Sequence, residues 1–355
     1  MADAEQLHPL QTQFEEAEDE VAALAAGAAP DAAIRAFQSI LAYGGNLFFF
    51  LAIKFFFSFF FLTSAGLHAA KEDAALEQVQ RVKEHAVYKL AQLYIQFGRE
   101  KELATLLQSL RPFFATLARA KTGKIVRTVI DMVAKVQVLD APKALQLQAD
   151  LCLDSIEWCK QEKHTFLRQR VEARLASIYF QQDKFQPALD LITELLREIK
   201  KLDDKQLLVE IHLVESKLHH ALRNVPKAKA ALTAARSISN TIYVVPRTQA
   251  QIDQMSGILH AEERDYKTAY SYFFEAFEAL ATLDEVEGLK CLKYMLLAKV
   301  ASGGASEVNL IINSKQAMKF IGIDLEAMQA VAKAHEQRSL EQFEAATTKY
   351  APRTL

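Results

Sequence analysis

Glycine and proline are scarce in this chain, 11 and 8 among 355 residues, against a usual share of about 12% for the two together. From Lys124 to Ser256 there is no glycine at all. Tight hairpins and phosphate-cradling loops rely on glycine for positive φ angles and close backbone approach. That stretch therefore excludes a β-sandwich or a nucleotide-binding fold and predicts helix. Cysteine is almost as rare: Cys152, Cys159 and Cys291. The first two share a helix face, seven positions apart, which is too far along the axis for a disulfide. A sparse, odd count without C-x-x-C suits a reducing compartment, with all three as small buried side chains. An excess of one charge is missing too. The 42 Lys+Arg nearly balance 44 Asp+Glu, which removes the electrostatic case for a nucleic-acid or anionic-membrane partner.

Catalytic signatures are also absent. There is no G-x-x-x-x-G-K-[ST], G-x-G-x-x-G, H-E-x-x-H or G-x-S-x-G. His260-Ala261-Glu262 has the H-x-E of zinc deaminases but lacks the P-C-x-x-C that would complete the metal shell. His212, Glu215 and His219 fall on one helix face, a constellation that the polar side of any amphipathic helix produces. No catalytic, cofactor-binding or metal-ligating residue is expected.

What is present is apolar content, 51% of the chain, enough for a large core and against global disorder. The length allows about two domains or one extended array. No secretory signal fits the N-terminus, whose first strongly charged stretch is acidic, Glu15 to Glu20. One segment departs from a soluble pattern: LFFFLAIKFFFSFFFL, Leu47 to Leu62, holds nine of the 22 phenylalanines. Extended to Leu67 it reaches marginal spanning length, yet Lys54 near its centre costs about 3 kcal/mol on an insertion scale. A membrane anchor is the disfavoured reading. The alternative is an insertion foreign to the fold, arising from the gene model.

The strongest signal is a repeat. YFQQDKFQPALDLITELL (from Tyr179), HHALRNVPKAKAALTAAR (from His219) and ERDYKTAYSYFFEAFEAL (from Glu263) superpose at offsets near 40, with Ala188, Ala228 and Ala269 in one slot. Ala144 and Ala104 occupy the same slot upstream. In each unit a first helix carries an apolar stripe, Leu167–Val171–Leu175–Ile178 or Leu207–Ile211–Val214–Leu218–Ala221, and a short polar turn follows. Pro142, Pro187 and Pro226 then fall in the first turn of the second helix, where a missing N–H costs nothing. The marker alanine is small because two helices cross there. Units that cannot bury their own apolar face stack into an α-solenoid with a concave binding surface, here over about residues 76–285.

One charged feature is a candidate interface. Leu103 to Ile130 contains Arg111, Arg119, Lys121, Lys124 and Arg127 and no acidic residue. It reads either as a contact for an acidic protein surface or as a solvated helix face. REIKKLDDK, Arg197 to Lys205, alternates in sign and reads as a solvated turn with weak local ion pairs.

Longer runs carry a specific resemblance: LCLDSIEWCKQEKHTFLRQRVEARLASIYF (Leu151 to Phe180), LLREIKKLDDKQLLVEIHLVESKLHHALRNVPKAKAALTAARS (Leu195 to Ser237), the stretch Gln254 to Leu280, and LKYMLLAKV (Leu292 to Val300). With LRPFF at Leu110 and RSLEQFEAATTKY at Arg338, they extend over about residues 76–350. This text resembles the family of 26S proteasome non-ATPase regulatory subunit 11, PCI-domain subunits of the regulatory-particle lid. The resemblance implies an all-α fold, a right-handed α-solenoid of TPR-like helix pairs leading into the helical part of a PCI domain. It implies a scaffold that works with other lid subunits, the ATPase ring and core-particle α subunits, in cytoplasm and nucleus, with no nucleic-acid partner. The same-class alternative is a scaffold like COP9 signalosome subunit two; the different-class alternative is a membrane-tethered helical-repeat adaptor. The expected organisation is an acidic helical segment 1–45, a Phe-rich insertion 46–70, a TPR-like solenoid 76–250 and a PCI helical part 251–355. The family pattern continues past this point into a winged helix, so the chain is expected to be truncated before it.

Overall fold

The structure, a computed structural model, describes residues 11–21, 30–42, 65–134, 141–283 and 285–354. Most of the Phe-rich stretch Leu47–Leu67 lies outside the described residues. Among the described residues there are helices and turns but no strand, and no helix is long and apolar enough to cross a membrane. The described residues of the glycine-poor stretch form helices and their connections, as expected. The chain divides into two compact units, Met1–Val171 and Glu172–Leu355.

In the first unit the helices are α1 (11–21), α2 (Pro30–Ala42), α3 (Ala65–Gln96), α4 (Glu100–Ser109), α5 (Arg111–Thr116), α6 (Arg119–Ala134) and α7 (Ala141–Gln161). Phe37 and Ile40 of α2 are fully buried, as are Leu90 of α3 and Ile125 of α6. Phe14 meets Phe37 edge-on at 5.8 Å between ring centroids. The amide of Gln38 donates to the Tyr94 hydroxyl at 2.8 Å, joining α2 to α3. The LRPFF segment is an anchor: buried Phe114 lies 5.7 Å from the Trp158 ring of α7.

Helix α8 (Thr165–Gln181) runs across the boundary between the units. The second unit continues with α9 (Phe185–Leu202), α10 (Lys205–Ala221), α11 (Val225–Ser239), α12 (Pro246–Glu262), α13 (Tyr266–Leu283) and α14 (Glu285–Ala301). After two short 3₁₀ turns and α15 (Val308–Ile312) come α16 (Ile323–Glu336) and α17 (Leu340–Thr354). The repeat is present as read. Ala188, Ala228 and Ala269 are fully buried and Ala144 is 8% exposed; Ala104 falls among side chains outside the described set. Leu207, Ile211 and Leu218 of the predicted stripe are buried, while Val214 and Ala221 are half-buried at its margin. Three apolar clusters succeed one another along α8–α10, α10–α12 and α12–α16, so each helix pair completes the core of the next.

The turns explain how this is done almost without glycine. Lys163, Asp183, Asp203, Arg223, Arg264 and Arg338 all take positive φ, between 51° and 65°. Each follows a helix, and most complete a two-bond closure. Asn224 N–H reaches His219 O at 2.8 Å and Arg223 N–H reaches His220 O at 2.9 Å, the pair of bonds that satisfies the last carbonyls of a helix. The next residue then opens the following helix: Asp204 caps Leu207 N–H at 3.2 Å, Asn224 caps Lys227 N–H and Asp265 caps Thr268 N–H at 3.3 Å. The REIKKLDDK turn is one of these junctions. Spaced 20 apart from Lys163 to Arg223, they set the half-period of the repeat.

Where glycine does occur in the array, space requires it. A Cβ at Gly257 would lie 2.6 Å from Cε1 and 2.7 Å from Cδ1 of Phe273, whose ring is 2% exposed. Gly257→Ala is expected to destabilise the fold by about 1–3 kcal/mol, read as a lower denaturation midpoint with unchanged helical content. At Asp183 the opposite holds. A left-handed non-glycine residue costs about 1–2 kcal/mol, and a carboxylate at a helix C-terminus opposes the dipole. After the extra freedom of glycine in the unfolded chain is subtracted, Asp183→Gly is expected to stabilise by about 0.5 kcal/mol. Chemical denaturation measures it; a lower midpoint refutes the strain argument.

Candidate interaction surface

The five basic residues picked from the sequence lie on two helices of the first unit. Helix α6 is amphipathic: Ile125, Val126, Val129, Ile130 and Val133 are buried. At about 100° per residue, Lys121, Lys124 and Arg127 occupy one arc of roughly 120° opposite that face. Arg119 stands exposed at the start of the helix. Arg111 is apart, on α5.

Acidic side chains from distant parts of the chain meet Arg111 and Lys124. The Arg111 guanidinium lies 2.8 Å from a carboxylate oxygen of Asp154 on α7, which also accepts from the Gln108 amide at 3.3 Å. Both members of the ion pair are about one-third exposed. Lys124 reaches Glu84 of α3 at 3.5 Å, and the same Glu84 oxygen accepts from the Tyr88 hydroxyl at 2.9 Å. Burial first, and then the Glu84 carboxylate, push the Tyr88 phenol up to about 12. Arg127 Nε donates to the Gly123 carbonyl at 3.0 Å within α6. Arg111 is thus a structural cation. The outward set is Arg119, Lys121, Lys124 and Arg127, with Lys124 67% exposed despite its contact. Sequence reading gave the basic side of this surface and missed Glu84 and Asp154, which lie 40 and 43 positions from the lysine and arginine they meet.

Outside this surface several ionisable side chains are buried or paired. His212 Nδ1 lies 2.8 Å from Glu215 Oε2, with His212 buried. No group of three or more His, Cys, Asp or Glu side chains converges to hold a metal among the described residues. All three cysteines are buried, and burial pushes the Cys291 thiol up to about 12, so that it stays protonated near neutrality. Lys217 has its ammonium pushed below the ordinary lysine value by burial, with Glu287 opposing the shift. Adjacent helix pairs are joined at their edges by His220–Glu262 at 2.9 Å and Lys229–Glu263 at 2.6 Å.

If Arg111 is structural and Arg119 is presented outward, charge reversal separates them. Arg111→Glu, which sets a second carboxylate against Asp154, is expected to cost about 1 kcal/mol or more. Arg119→Glu is expected to leave the thermal midpoint unchanged. Equal effects on stability would contradict the division.

Buried alanine crossings, capped three-residue turns and a succession of shared cores define a helical-repeat protein of the tetratricopeptide type. A solved structure from Pyrococcus horikoshii, a signal-transduction ATPase with a tetratricopeptide repeat sensor, superposes with a TM-score of 0.52 at 14% identity, over 97% of this chain and 53% of that one. This likeness concerns the fold alone. Residues 64–182 match the family described as 26S proteasome regulatory subunit RPN6 N-terminal domain. The chain is 52% identical over 270 residues to 26S proteasome non-ATPase regulatory subunit 11 homolog of Arabidopsis thaliana, covering 76% of this chain and 63% of that protein. It is 46% identical to the probable 26S proteasome regulatory subunit rpn6 of Schizosaccharomyces pombe (78% and 65%). Identity to regulatory subunit RPN6 of Saccharomyces cerevisiae is 40% (81% and 65%). The chain is thus a homologue of 26S proteasome regulatory subunits over 76–81% of its length, and it spans 63–65%, less than two thirds, of the length of these relatives.

Proposed function

We propose that the chain acts as a non-catalytic scaffold subunit of the 26S proteasome regulatory-particle lid. It stabilises lid assembly and attachment to the ATPase ring and the core-particle α subunits during ubiquitin-dependent degradation, in cytoplasm and nucleus. The observation that carries this reading is identity of 40–52% to 26S regulatory subunits over 76–81% of the chain. The helix-pair array supports it, because stacked repeats present long outward faces while their cores stay closed. Residues 251–355 serve in this reading as the helical part of a PCI domain, and 76–250 as the TPR-like arm. On that arm Arg119, Lys121, Lys124 and Arg127 form the contact for an acidic partner surface, with Arg111 holding the underlying helices together.

The test is affinity isolation of the tagged 355-residue chain from cells, with mass spectrometry of the retained proteins. Recovery of lid, ATPase and core-particle subunits together is the expected result. Signalosome subunits instead would assign the chain to that assembly, carbonate-resistant membrane association would favour a tethered adaptor, and chaperones alone would refute the scaffold reading for this chain. In the same assay, combined Arg119→Glu, Lys121→Glu and Lys124→Glu is expected to weaken core-particle recovery about tenfold or more, as loss of several complementary charges does. Unchanged recovery removes these residues from the interface.

A further inference from the structure

The connection between α11 and α12 breaks the pattern of every turn around it. The junctions after α8, α9, α10 and α12 each contain a positive-φ residue, but the 240–245 connection has none. It reads Asn240-Thr241-Ile242-Tyr243-Val244-Val245. After two turn hydrogen bonds, Thr241 N–H to Ile238 O and Ile242 N–H to Ser239 O, the chain leaves turn geometry, and Tyr243 to Val245 have no helix or turn assignment. Val245 has φ −60° and ψ 135°, in the extended region, as a β-branched residue before proline prefers.

Side chains in this segment alternate. Ile242 packs on the α10–α12 core, Tyr243 is 86% exposed, Val244 is half-buried and Val245 is 48% exposed. A period of two with one face apolar and inward is the pattern of a strand, in a chain that otherwise shows helical periodicity. Among the described residues, no backbone hydrogen bond is made by the N–H or C=O of Tyr243, by those of Val244, or by the N–H of Val245. The Val245 carbonyl is used, accepting from Thr248 and Gln249 at 2.9 and 3.1 Å as α12 begins. In an extended chain, residues two apart offer their main-chain groups to the same side. Tyr243 N–H and C=O with Val245 N–H thus form a short unpaired edge, and the described residues contain no strand to pair with it.

We propose that Tyr243–Val245 is a docking strand, which pairs with the open edge of a β-sheet in a partner protein and seats the Tyr243 ring in an apolar pocket beside that edge. Main-chain pairing supplies the register and the aromatic ring the anchor. Pairing costs little ordering, because the segment is already extended and tethered by Ile242 on one side and α12 on the other. The inference does not rest on the proteasome reading, since it specifies an edge strand and not a particular subunit.

The experiment places benzoyl-phenylalanine at position 243 of the full chain, crosslinks in the isolated assembly and maps the crosslinked residue on the partner. The expected site lies in or beside an exposed edge strand. Val245→Pro is the informative second variant. Its φ is already that of proline, its N–H serves no internal bond, and the Pro246 that follows is unchanged, so the substitution deletes one main-chain donor with little effect on the fold. It is expected to cut crosslink yield about fivefold, the worth of one net hydrogen bond, while Val245→Ile retains it and the thermal midpoints agree. A crosslink confined to helices, a yield indifferent to Val245→Pro, or no crosslink in the assembly overturns the proposal. Because recovery of the assembly is scored separately, its subunit identity can fail or hold independently.

Discussion

Close crossing of paired helices at an alanine is the contact on which the rest of this structure depends. Ala188, Ala228 and Ala269 have no exposed surface, and each sits in the first turn or two of the second helix of a pair. A larger side chain there would push the helices apart and open the apolar layer between them. With the crossing closed, the leucines and isoleucines of one pair have nowhere to face except the neighbouring pair. The succession of cores along α8 to α16 follows from that geometry, and so does the dependence of each pair on the next.

The connections have to deliver each helix to its crossing in the right phase, and this chain does so with little glycine. A left-handed residue closes one helix and the next residue caps the following one, as at Asp203–Asp204, Arg223–Asn224 and Arg264–Asp265. Lysine, arginine and aspartate at these sites carry strain that glycine would avoid, while the cap bonds and helix packing hold them there. Gly257 shows the complementary case, in which a glycine is kept because the Phe273 ring occupies the volume of its Cβ. Strain is tolerated at exposed turns; volume is not tolerated in the core.

Surface chemistry follows a different logic. The first unit brings Glu84 against Lys124 and Asp154 against Arg111, so part of a sequence-basic stretch is neutralised from elsewhere in the fold. Lys121, Lys124 and Arg127 nevertheless keep to the side of α6 away from its buried face, where Lys124 remains 67% exposed despite its contact with Glu84.

Sequence alone determined the features that arise from local periodicity. The helical class, the repeat near 40 residues, the marker alanines and the proline-led second helices are each set by neighbours within a turn or two, where spacing and steric size act directly. Long matched runs also carried the family. Tertiary structure alone decided which charges are spent internally, because Arg111–Asp154 and Lys124–Glu84 join residues 40 or more apart and depend on how helices pack. It also decided that the junctions use left-handed non-glycine residues, since the strain is held only by the contacts around them. Likewise, the text TIYVV shows its β-prone composition in sequence, but its exposure and unpaired main chain exist only once α11 and α12 are in place. Local patterns are legible because their energy is local; pairings across the chain are settled when the core closes.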